Sequence, residues 1–139
     1  MVDSIIIVKK INAIRYNMSR IMKYKDVSLE EFIRDEDIRD ITVHNLFILL
    51  QHVIDIGTHI IADGNMEEPV FVSDIADILK REGVLDNRLA NSLKSMIGLR
   101  NIIAHEYGDI DFGIIHRIIT EHIIDVDLFL DRVIKYAQL

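Results

Sequence analysis

Apolar residues recur at steps of three and four along nearly the whole chain, the period of amphipathic helices. Isoleucine is abundant and by itself favours strands, so the period has to decide. Ile7, Ile11, Ile14, Met18 and Ile21 form the first stripe, with Asp3 or Ser4 placed to cap a helix running to about Tyr24. Ser28-Leu29-Glu30-Glu31 fits a capping box and opens a short helix to about Arg34. Asp35-Glu36-Asp37 then places negative charge at the start of a long helix, where the macrodipole favours it. That helix reaches about Ala62 and stops at Asp63-Gly64-Asn65. Leu46, Leu49, Val53, Ile56 and Ile60 form one stripe on it, and Phe47, Leu50, Ile54 and Ile61 a second. A helix apolar over so much of its circumference is buried between neighbours.

The stretch Asn65 to Val72 reads as a loop holding the only proline, Pro69. Ser73 is expected to cap a short helix from Asp74 to about Glu82, with Gly83 at its C-terminal cap. Asp86 caps the next helix, whose stripe is Leu89, Leu93, Met96, Arg100 and Ile103. Gly108-Asp109-Ile110-Asp111 breaks the chain, and Asp111 caps one last helix with Phe112, Ile115, Ile119, Val126, Phe129 and Val133 turned inward. The expected fold is all-α, an up-and-down bundle of four main helices in two antiparallel long pairs, plus short accessory helices.

The 139 residues are expected to form a single domain, 1–139, large enough to bury a core without staples. The absence of cysteine excludes disulfides, thiolate metal sites and thiol nucleophiles. No basic segment followed by a long apolar run marks a signal peptide, so a cytoplasmic location without membrane association is expected. The net charge of −7 argues against a sequence-independent nucleic-acid coat, which works through a broad basic surface. An aromatic content of 6% is too thin for a platform of stacked bases. Neither value opposes an RNA enzyme with a small, local cationic site.

Such a site is suggested by Gly98-Leu99-Arg100-Asn101-Ile102-Ile103-Ala104-His105-Glu106-Tyr107-Gly108-Asp109. Arg100 stands in apolar register, where a guanidinium needs an anion or another partner. At about 100° per residue Tyr107 returns to the face of Arg100, whereas His105 lies about 140° from it. Either the helix loosens near Ala104, or Arg100 and His105 meet across two subunits.

Arg100, His105 and Tyr107 reproduce the R-x4-H-x-Y signature, and the segment resembles that of the HepT toxins, a branch of the HEPN group of helical domains. The resemblance spans nearly the whole chain. Leu50 to Ile61 is similar to the family's long second helix, Phe71 to Leu85 to the approach to its motif helix, and Gly108 to Asp111 to its last turn. It implies a homodimeric, metal-independent endoribonuclease toxin of a type VII toxin–antitoxin pair, with higher oligomers left open and no cofactor. RNA (tRNA or mRNA) would be the substrate and DNA would not. The partner would be a minimal nucleotidyltransferase (MNT) antitoxin that transfers AMP from ATP to Tyr107.

Metal-free RNA cleavage needs a base for the 2′-hydroxyl, an acid for the leaving 5′-oxygen and a cation for the phosphorane. One histidine serves as base or acid in a given step, so a two-fold dimer that gathers two copies of His105 and Arg100 suits this chemistry. Arg100 would clamp the phosphate. Asn101 would orient a phosphate oxygen or the imidazole, and Tyr107 would position a base or the histidine tautomer. The alternative is a non-catalytic nucleotide- or RNA-binding partner of the nucleotidyltransferase.

His52, Asp55 and His59 share a helical face at metal-ligand spacing. They read rather as a solvated or interface stripe in which Asp55 bonds a histidine, and the family likeness adds a supporting role for Asp55 facing the cleft. His122 is expected as a hydrogen-bonded core histidine, and Glu121 and Asp125 as solvated. His44 and His116 suggest nothing.

Overall fold

Short polar residues that close the first turn of each helix fix where most of the helices begin. In the computed structural model, which describes residues 3–105 and 107–139 and only the backbone of Tyr107, Asp3 accepts from the amides of Ile5 and Ile6 to start α1 (Ser4–Met22). Ser28 accepts from Glu31 to start α2 (Leu29–Arg34), and Asp35 from Asp37 and Ile38 to start α3 (Glu36–Asp63). α4 (Asp74–Arg81) departs from the expected scheme. The Ser73 side chain makes no capping bond; Asp74 Oδ2 instead accepts from the amides of Val70 and Phe71, tying the preceding loop to the helix. At the other end of α4, the Val84 amide bonds Leu79 O and the Gly83 amide bonds Lys80 O, a Schellman closure. Gly83 takes φ of 80° there, a left-handed conformation that glycine adopts without steric cost.

α5 (Asn87–His105) begins where Asp86 accepts from the Leu89 amide, and Tyr107, the last residue of the motif, opens a 3-10 turn (Tyr107–Asp109). Asp111 then caps α6 (Phe112–Arg117), which leads through a wide turn to α7 (Ile124–Ala137). Among the described residues there is no strand.

α3 lies at the centre. α1 runs antiparallel to it, as the pairs Asp3–Asp63, Lys10–Asp55 and Asn17–Asn45 require. α5 and α7 form the second antiparallel pair, joined by Arg88–Asp125 and Arg132–Asp86. By length and composition α3 could cross a membrane, but 56% of its most apolar stretch is buried inside the bundle. α4 comes so close to α3 at Gly57 that a Cβ there would lie 2.5 Å from Ile75 Cγ2. At this glycine, close packing outweighs the helical cost of having no side chain.

The last helix is not continuous, and this corrects two expectations. Residues Ile118–His122 form a π turn, closed by an Ile123 amide to Ile118 carbonyl bond of 2.7 Å. The extra residue in that turn carries His122 outward, so its side chain is 48% exposed and Ile123 enters the core instead. Asp125 was expected on the solvated face but is 4% exposed. Its carboxylate accepts from Arg88 Nη1 at 3.1 Å and Ser92 Oγ at 2.5 Å, so the buried charge is paired and hydrogen-bonded.

Candidate functional site

The apolar stripe of α5 settles where Arg100 goes. Leu89, Leu93, Met96 and Ile103 are buried, and Arg100, on the same stripe, is half-buried against α3. Its guanidinium donates from Nε and Nη2 to Gln51 Oε1, the former at 3.0 Å, and from Nη1 to Asn101 Oδ1 at 3.0 Å. The Phe47 ring lies beneath, 5.4 Å from Cζ to centroid. Among the described residues no carboxylate lies within ion-pair distance of Arg100. Its described partners, an amide oxygen on each side and an aromatic ring, are neutral and do not cancel its charge.

Gln51 can play this part because its own amide is held. Gln51 Nε2 donates to Asp55 Oδ1 at 3.0 Å, leaving the carbonyl end turned to Arg100. Asp55 Oδ2 in turn takes Lys10 Nζ at 3.1 Å, so the carboxylate is matched from α1. The chain Lys10–Asp55–Gln51–Arg100 therefore links α1, α3 and α5. The expectation that Asp55 bonds a histidine is corrected: it bonds Lys10 and Gln51. His59 Nε2 pairs with Asp63 Oδ2 at 3.2 Å. Among the described residues no three histidine or carboxylate side chains gather at metal-binding distance. Asn101 Oδ1 takes a hydrogen bond from Arg100, which leaves its amide NH2 for another partner.

α5 stays helical through His105 and does not loosen near Ala104. His105 is exposed and lies about 140° around the helix from Arg100. Within one chain the two groups point apart. The Tyr107 side chain lies outside the described residues. Beside the motif, Val43, His44 and Phe47 of α3 and Ile103 and Ala104 of α5 line a cavity of about 200 Å3.

The sequence reading gave Gln51, Lys10 and Phe47 no part in holding Arg100. The step of four from Phe47 to Gln51 to Asp55 was a usable signal, because it places an aromatic, an amide and a carboxylate on one face. Lys10 carried no such signal, since its meeting with Asp55 depends on how α1 packs.

His52 neighbours this network. Burial first, then the charge of Lys10, lower its pKa from the ordinary 6.5, against an upward pull from Asp55. Among the described residues its buried Nδ1 has no hydrogen-bond partner. The unfolded chain thus takes up this proton more readily than the folded one. The stability held by the neutral ring is complete above about pH 6.5 and is lost as pH falls toward the lowered folded value. Urea denaturation at descending pH should show a shallower decline for His52→Gln than for wild type. Equal declines would mean that the ring titrates freely.

Comparison with known proteins identifies the family. The family described as "Ribonuclease HepT-like" matches residues 14–133. The mRNA nuclease HepT of Shewanella oneidensis is 32% identical over 127 residues, covering 91% of this chain and 94% of that protein. The tRNA nuclease HepT of Aphanizomenon flos-aquae is 26% identical over 110 residues, 79% of this chain and 75% of that one. Among solved structures, a tri-AMPylated Shewanella oneidensis HEPN toxin in complex with MNT antitoxin superposes with a TM-score of 0.86 at 32% identity, covering 98% of this chain and 99% of that one.

Proposed function

The chain belongs to the HepT-like ribonuclease family, and from that premise we propose that it is a metal-independent endoribonuclease toxin whose active site is shared between two copies. The observation that carries this reading is the neutral cradle around Arg100. A guanidinium held by an amide carbonyl on each side and an aromatic face below is positioned without being neutralised. A scissile phosphate would supply the missing anion.

In the proposed step, His105 of one copy takes the proton of the 2′-hydroxyl as that oxygen attacks phosphorus. His105 of the second copy gives a proton to the departing 5′-oxygen. A P–O bond forms and a P–O bond breaks, leaving a 2′,3′-cyclic phosphate and a 5′-hydroxyl, with one proton taken and one returned. Arg100 stabilises the added charge of the phosphorane. DNA, lacking the nucleophile, would not be cut.

The relatives act on mRNA and on tRNA by name, so single-stranded segments of either are the substrates to test. The Shewanella toxin is AMPylated and held by an MNT antitoxin. A similar partner would silence this chain in the cytoplasm by adding AMP, with its bulk and negative charge, to Tyr107 of the motif.

The test is cleavage of labelled RNA by the purified chain in EDTA, with a matched substrate carrying a 2′-deoxy at the mapped cut. Cutting is expected to persist in EDTA and to stop at the deoxy position. Loss of cutting in EDTA would overturn the metal-free reading. Cutting at the deoxy position would overturn the 2′-hydroxyl as nucleophile.

A further inference from the structure

Another cavity shares a wall with the one beside the motif and takes no part in the chemistry above. It is an open groove of about 630 Å3 between α1 and α3, with Tyr16, Asn17 and Arg20 on one side and Asp40, His44 and Asn45 on the other. That volume falls within the range of about 300–1,000 Å3 usual for small-ligand sites. His44 lines both this groove and the 200 Å3 cavity at Ile103 and Ala104, so one imidazole stands between them. The smaller cavity includes Phe47, which lies under Arg100, and Ala104, which precedes His105. The groove is therefore next door to the cleft.

Its walls are built for something polar with a flat face. Asn17 and Asn45 are 5% and 4% exposed, and Asn17 Nδ2 donates to Asn45 Oδ1 at 3.1 Å. Asn45 Nδ2 is spent on the Ile41 carbonyl at 2.8 Å. The Asn17 side-chain oxygen, Oδ1, takes no hydrogen bond from the described residues and is left as an acceptor. Tyr16, a large aromatic in a chain with few, is 62% exposed at the rim. Among the described residues neither Arg20 nor Asp40 has an ion-pair partner.

We infer that the α1–α3 groove seats an unpaired nucleotide of the RNA strand that flanks the cut. This rests on the ribonuclease reading given above. The base stacks on Tyr16, which suits single-stranded RNA because every base offers a face. Arg20 takes the phosphate of that nucleotide. Asn17 Oδ1 and the Asp40 carboxylate accept from the base edge. His44 marks the passage of the strand into the motif cleft. The groove thus adds affinity by local stacking and one phosphate contact, which an acidic chain needs more than a basic one does.

Two readouts on the full chain test it. Binding is followed by the anisotropy of a fluorescein-labelled, uniformly 2′-fluoro oligoribonucleotide, which cannot be cleaved through a 2′-hydroxyl. Cleavage of the matching RNA is followed separately. Tyr16→Ala and Arg20→Ala should each raise Kd about tenfold, the loss expected for one stacked base or one phosphate contact. They should raise KM more than they lower kcat, and Tyr16→Phe should bind as wild type does.

Wild-type cleavage with unchanged binding by both alanine variants would overturn the groove and leave the ribonuclease reading standing. Tyr16-dependent binding without any cleavage would uphold the groove and overturn the reading. No binding by wild type would overturn the groove as an RNA site. Loss of antitoxin binding, with RNA binding intact, would assign the groove to the protein partner and overturn the inference.

Discussion

Wild-type and His105→Ala chains refolded as an equal mixture should cleave RNA at about a quarter of the wild-type rate. Arg100→Ala or His105→Ala alone should lose roughly a hundred- to a thousandfold, the usual toll for removing a charge-stabilising donor or a general acid–base. The quarter follows from the shared cleft. α5 is regular through His105, so one chain turns Arg100 and His105 to different sides. The proposed step takes its base and its acid from two copies of His105, so a mixed dimer lacks one of them. Random assortment leaves about a quarter of the dimers with both histidines. The measurement is the initial rate of RNA cleavage at fixed total protein. A rate near half of wild type would mean that each copy acts alone, and the shared cleft would be lost.

Phe32→Ala should lower stability by about 3–5 kcal/mol, the range for deleting a buried phenyl ring. Phe32 is the only buried residue of α2, a helix of six residues that has little else to hold it. Its ring is fully enclosed, edge-on to Phe112 at 6.5 Å between centroids and 5.6 Å from the ring of His116. His116 Nε2 in turn bonds the Val27 carbonyl at 2.7 Å, just ahead of α2. Removing the ring opens a cavity where α2 meets α6, and both short helices lose their shared anchor. Thermal unfolding should shift down by roughly 10 °C or more for a chain of this size. Phe32→Leu, which refills most of the space, should lose much less. A shift of a few degrees for the alanine variant would mean that α2 collapses onto α3 without cost.

The helix starts are legible because capping is local. Asp3, Ser28, Asp35, Asp86 and Asp111 each close a turn within three residues, so the sequence alone holds both partners. The Gly83 closure is legible for the same reason. Ser73 misled because Asp74 competes for the same loop and wins with a carboxylate.

The end of the chain was less legible. A stripe can be extrapolated only while the helix keeps its period, and the π turn changes the period at Ile118. That one residue turned His122 from the core to solvent. Asp125 looked solvated because its partners, Arg88 and Ser92, lie more than thirty residues earlier. Arg100 was placed correctly by its register, but the amide that holds it was not, since Gln51 meets it only through the packing of α3 on α5.

On the proposed reading, the neutral cradle around Arg100 would also shape how RNA arrives. The body of the protein carries a net charge of −7, so a polyanion is repelled at a distance and gripped only at contact. Raising ionic strength from roughly 10 to 150 mM shortens the Debye length from about 30 Å to about 8 Å. Background repulsion is then screened before the half-enclosed guanidinium is. Moderate salt should therefore quicken encounter while loosening the final grip, so stopped-flow association would rise before it falls. Most basic RNA binders only slow down as salt is added.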